Sequence, residues 1–100
     1  VQQLTAQTYR AFLHKQDDII LVNADIPATP LKARQLVDAL CDGSGFTQLA
    51  PDWGADRYQV MLVKQDIRCL LCIEWLCEAV WLEPTGTTDI HRLWHTLQAG

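Results

Sequence analysis

The stretch RYQVMLVKQDIRCLLCIEWLCEAVWLE, Arg57 to Glu83, decides how this chain folds. Its residues alternate in the period-two manner of antiparallel strands. With a short connection at Gln65-Asp66 and another at Cys77-Glu78, the expected pairs are Leu62 with Cys69, Val60 with Leu71, Tyr58 with Ile73, and Trp75 with Val80. Partners in an antiparallel pair share a face, so these residues and Leu82 form one wholly apolar surface. The opposite surface is mixed: Gln59, Met61, Val63, Arg68, Leu70, Cys72, Glu74, Ala79, Trp81 and Glu83.

An apolar sheet face needs a cover, and the flanking sequence supplies amphipathic helices. Thr29 is an N-cap followed by Pro30 at the first helical position, and Ala33, Leu36, Val37, Leu40 and Cys41 form a stripe ending near Gly43, read as the left-handed C′ residue. Ile90, Leu93, Trp94 and Leu97 form a second stripe behind a cap at Thr87 or Thr88. Thr5 is read as capping a first helix through Ala6, Tyr9, Phe12 and Leu13, with a strand over Tyr9 to Leu13 as the rival. After the polar break Gln16-Asp17-Asp18, the run Ile19-Ile20-Leu21-Val22 reads as a strand buried on both faces. A short strand is expected near Phe46 to Leu49, and Pro51 to Asp56 reads as a loop. The order implies an α+β two-layer sandwich, one domain over residues 1–100, with a mainly antiparallel sheet and a three-strand meander covered by helices.

Composition narrows the classes. With 49% hydrophobic and 20% charged residues the chain reads as globular. Its longest apolar run, Cys69 to Ile73, is far too short to cross a membrane. A net charge of −4 with eight scattered basic residues argues against nucleic acid and anionic membrane surfaces, and favours a basic protein partner if anything. The start at Val1 suggests a trimmed chain or a piece of a longer one. Four cysteines read as reduced thiols of a cytoplasmic protein: Cys69 and Cys72 face opposite sides of one strand and cannot bridge. The same geometry argues against a zinc knuckle at this Cys-x-x-Cys, and no cofactor is implied. Cys77, at the hairpin tip, is the expected exposed thiol.

Several constellations have a chemical and a plainer reading. His91 and His95 have metal-sharing spacing, but lack a third ligand in sequence and read as boundary residues. Glu74, Glu78 and Glu83, the only glutamates, suggest acid–base chemistry, or simply a solvated sheet face. Asp52, Trp53, Asp56 and Arg57 make a candidate recognition loop, or a Trp plug with a polar turn. No phosphate loop or nucleophile elbow is present.

The mixed face is the leading candidate site. Trp81 and Leu70 would be anchors, with Met61 beside them and Arg68, Glu74 and Glu83 on the rim, where Glu74 is expected opposite Trp81. The expected role is non-enzymatic protein binding or homodimer formation through this face, unless the N-terminal helix covers it. The alternative is a small ligand-binding domain or enzyme with its site near Asp52–Arg57 or Glu74, a reading that a pocket with converging Glu74 and His91 would favour.

The segments Gly54-Ala55-Asp56-Arg57 and Glu74-Trp75-Leu76-Cys77-Glu78-Ala79-Val80-Trp81-Leu82-Glu83 resemble a family of small bacterial domains of unknown function. In that family a similar Asp-Arg lead-in and a Glu-rich, Trp-containing hairpin recur. The resemblance spans roughly the central third of the chain, implies a bacterial cytosolic origin and carries no chemistry with it.

Overall fold

The computed structural model describes residues 3–99. A 3-10 turn at Tyr9–Phe12 is followed by β1 (Leu13–Lys15), β2 (Ile20–Val22), α1 (Pro30–Ser44), β3 (Thr47–Gln48), β4 (Asp52–Trp53), β5 (Arg57–Lys64), β6 (Ile67–Glu74), β7 (Ala79–Pro84) and α2 (Ile90–Ala99). The strands form one antiparallel sheet in the order β1-β2-β7-β6-β5-β3, with β4 also paired to β5. The fold is an α+β sandwich with β5, β6 and β7 as its meander.

The first hairpin has the expected register: Tyr58 opposes Ile73, Val60 opposes Leu71 and Leu62 opposes Cys69. The second differs by two residues. Val80 opposes Ile73 rather than Trp75, Trp81 opposes Cys72 rather than Glu74, and Leu82 opposes Leu71. The cause lies at the tip, where residues 75–78 form a turn closed by Glu78 N–H donating to the Trp75 carbonyl at 3.2 Å, with Glu78 left-handed at φ 49°. Trp75 is left out of the β6–β7 pairing and its indole Nε1 donates instead to the Pro27 carbonyl at 2.6 Å. A slip of two residues preserves pleat parity, so every strand side chain keeps its expected face.

That parity builds the core. Tyr58, Val60, Leu62, Cys69, Leu71, Ile73, Val80 and Leu82 are buried against Ala33, Val37, Leu40 and Cys41 of α1 and Leu93 and Leu97 of α2, with Trp75 and Trp94 partly buried at the margin. Complete burial of a large apolar side chain contributes about 1.5–3 kcal/mol, so this layer dominates the favourable side of folding.

Helix ends correct two expectations. Thr29 caps α1 as read, its Oγ1 accepting from Lys32 N–H at 3.1 Å. The left-handed residue ending α1 is Gly45, at φ 82°, not Gly43, and its N–H donates to the Cys41 carbonyl at 2.8 Å. Gly43 instead lies inside the helix, where a side chain would collide with the Ala6 carbonyl and the Tyr9 ring. For α2 the cap is Asp89, whose Oδ1 accepts from Arg92 N–H at 2.9 Å. Thr88, expected as a cap, accepts from Arg68 N–H at 3.0 Å and ties the β7–α2 connection to β6.

The N-terminal segment is neither the expected helix nor a continuous strand. Thr5 N–H donates to the Thr8 hydroxyl at 2.8 Å and Thr8 N–H to the Thr5 hydroxyl at 3.2 Å. Such local side-chain bonds compete with helical ones. A tight turn results, the 3-10 turn carries Tyr9 into the core, and Leu13 enters β1. Tyr9 OH donates to the Leu97 carbonyl at 2.6 Å and Arg10 Nε to the Gln98 carbonyl at 2.8 Å. The N-terminal segment therefore closes the end of α2, on the helical side of the sheet.

Ile19–Val22 also differs from its reading: Ile20 and Val22 point into the core, while Leu21 is half-buried on the other face. Within the segment read as a loop, Asp52 and Trp53 pair with Gln59 and Tyr58.

Candidate protein-binding face

Because α1, α2 and the 3-10 turn all pack on one side, the mixed face carries no helix among the described residues. Its side chains follow from the register. One row crosses the sheet as His14, Leu21, Trp81, Cys72, Gln59 and Asp52. The next holds Glu83, Leu70 and Met61, with Leu49 N–H donating to the Met61 carbonyl at 2.9 Å. Beyond it lie Arg68, Val63 and Thr47, and at the opposite end Ala79, Glu74 and Arg57.

The centre is ordered by a small polar cluster. Glu83 Oε1 accepts from Trp81 Nε1 at 3.1 Å and from Cys72 Sγ at 3.5 Å, and Gln59 Nε2 lies 3.8 Å from the same sulfur. These neighbours cover Cys72, which is only 1% exposed although it stands on the open face. Burial, reinforced by the Glu83 carboxylate, pushes its thiol pKa up to about 12, so Cys72 acts as a neutral donor and not as a nucleophile. Trp81, Leu70, Met61 and Val63 are half-buried, and Leu49 is exposed. Thr85 Oγ1, 3.6 Å from Met61 Sδ, borders this apolar band.

Two surface depressions flank it at opposite corners. One, of about 480 Å³, is lined by Thr47, Leu49, Val63 and Arg68 among others. The second, of about 420 Å³, lies between His14, Leu21, Ala79 and Ile26.

The structure thus brings Trp81, Leu70, Met61, Arg68, Glu74 and Glu83 onto one face. It does not gather the Asp52–Arg57 candidates. Asp52 and Arg57 point to the open face, Arg57 directly opposite Glu74, while Trp53 is on the helical side. There Trp53 meets Tyr58 edge-on at a ring separation of 4.4 Å and remains 45% exposed. Asp56 is exposed and its carbonyl accepts from Trp75 N–H at 2.9 Å. Glu74 and His91 do not converge, since His91 is exposed on α2 in the other layer. Among the described residues no group of three His, Cys, Asp or Glu is placed to hold a metal.

Sequence reading missed Leu21, Leu49 and His14 as members of this face. Leu21 lies in an unbroken apolar run, which carries no parity signal of its own; pairing with Trp81 on β7 turns it outward.

At the exposed hairpin tip, Leu76 is 81% exposed and Cys77 is a free thiol. The neighbouring Glu74 carboxylate holds the Cys77 pKa above its ordinary value.

No protein-family model, curated protein or solved structure matches this chain. No helix among the described residues is long and apolar enough to cross a membrane.

Proposed function

We propose that this chain is a non-catalytic protein-binding module of the bacterial cytoplasm, and that it binds through the open sheet face centred on Trp81 and Leu70. The carrying observation is a sheet that helices cover on one side only among the described residues, and whose other side presents Trp81, Leu70, Met61, Val63 and Leu21 half-exposed. A contiguous apolar band with an aromatic centre and a charged rim is the composition of protein contact surfaces, and monomeric proteins seldom leave one open. Three buried thiols, Cys41, Cys69 and Cys72, support a reducing compartment. A ligand-binding or enzymatic reading of Asp52–Arg57 or Glu74 has less support, because Trp53 lies on the helical side away from Asp52 and Arg57, and none of these residues lines either depression.

The test compares Trp81→Ala and Leu70→Asp with Leu31→Ser and Leu76→Ser, which alter exposed leucines elsewhere. Association, read as mass in solution or as binding to an immobilised copy or partner, is lost in the first pair and kept in the second. Equal association in all four, with native circular dichroism, refutes the assignment.

A further inference from the structure

We infer that the occupant of this face is a second copy of the chain, held by reciprocal Glu83–Arg68 contacts across a two-fold axis. The inference rests on the protein-binding reading above and adds the identity and register of the partner.

The argument starts from charge. Glu83 lies opposite Leu70, and Arg68 stands two residues further along β6 on the same face. No ion pair joins them; the one ion pair among the described residues is Arg92–Asp66 at 2.9 Å. Glu83 Oε1 is engaged by Trp81 and Cys72, whereas among the described residues no hydrogen bond reaches its second carboxylate oxygen. A partner that extends over both residues is favoured when it brings a cation to Glu83 and an anion to Arg68, because covering either charge unpaired is costly. A two-fold copy brings both at once, because in such an interface residue i meets j and j meets i.

Size and shape agree. Strands spaced about 4.8 Å apart with a rise of about 3.3 Å per residue give this face a projected area of the order of 500 Å². Two such faces together give about 1,000 Å², the lower bound for a specific interface. Depressions at two corners of the face leave room for side chains of a facing sheet at the ordinary sheet-to-sheet spacing of about 10 Å. The assembly is helix, sheet, sheet, helix.

Charge reversal with complementation tests this on the full chain, by light scattering over a dilution series. Wild type has a two-chain mass. Glu83→Arg and Arg68→Glu each weaken the dimer by at least about 100-fold, since each sets like charges against each other twice. An equimolar mixture of the two variants regains the two-chain mass, because both cross-pairs are then opposite in sign. Far-UV circular dichroism verifies each fold, and Glu83→Gln substitutes if the reversal unfolds the chain.

A single-chain mass for wild type at high micromolar concentration overturns the second-copy inference. A dimer that Trp81→Ala abolishes but that neither reversal weakens overturns the Glu83–Arg68 register. In both cases the protein-binding reading is judged separately by its Trp81 and Leu70 variants. A dimer that survives Trp81→Ala and Leu70→Asp overturns both readings.

Discussion

The ring of Tyr9 lies against the Cα of Gly43, so close that a Cβ built on Gly43 would sit 2.6 Å from the Tyr9 ring. The contact joins the N-terminal turn to α1, and the Tyr9 hydroxyl joins the same turn to α2 through the Leu97 carbonyl at 2.6 Å. One fully buried aromatic thus gathers both helices and the chain's start on the covered side of the sheet. The open face owes its exposure to that arrangement.

Gly43→Ala tests the contact because two effects oppose each other. Helix propensity favours alanine by about 1 kcal/mol. Overpacking against the Tyr9 ring and the Ala6 carbonyl costs about 1–3 kcal/mol, and Tyr9, pinned at its hydroxyl, has little room to yield. The variant is expected to have a lower urea midpoint than wild type. A higher midpoint would mean that Gly43 is merely a poor helix residue.

Trp75→Phe tests the anchor that sets the register of the second hairpin. The substitution keeps an aromatic ring but removes the indole N–H donated to the Pro27 carbonyl. Loss of a part-buried hydrogen bond lowers stability by about 1–2 kcal/mol in denaturant titration. An unchanged midpoint would show that the bond does not hold the tip.

The thiols give a pH test. Cys77 is exposed and Cys41, Cys69 and Cys72 are buried, so one thiol reacts with an aromatic disulfide reagent in native protein and four react in denaturant. The thiolate is the reactive form, and the Glu74 carboxylate disfavours it by raising the Cys77 pKa. Glu74→Gln removes that charge, so the pKa falls, the rate profile moves to lower pH, and Cys77 reacts faster at any pH below its pKa. Superimposable profiles for the two proteins would refute the coupling.

Local alternation was enough to assign Tyr58, Val60, Leu62, Leu71, Ile73, Val80 and Leu82 to the interior and Trp81, Leu70 and Met61 to the other face. Parity survives a register error of an even number of residues, which is why the Trp75–Val80 pairing was wrong and the face assignment was not. The helix stripes were legible for the same reason: a 3.6-residue period is a local property. Gly43 and Gly45 were not distinguishable, since either suits a helix end until Tyr9 is seen against one of them. Asp89 was missed because two threonines precede it, and only the approach of Arg68 N–H shows that Thr88 has another partner. The candidate site was legible on β5, β6 and β7 but not on β2 and β3, whose short runs lack a pattern.

Periodicity within a segment is encoded over a few neighbours, and from it the chain alone specifies which side chains share a surface. Which surface ends up uncovered depends on contacts distant in sequence: Ile20 against Leu82, Tyr9 against Leu97, Thr88 against Arg68. Those pairings form only once the layers pack, because each is repaid by burial that no single segment achieves in isolation.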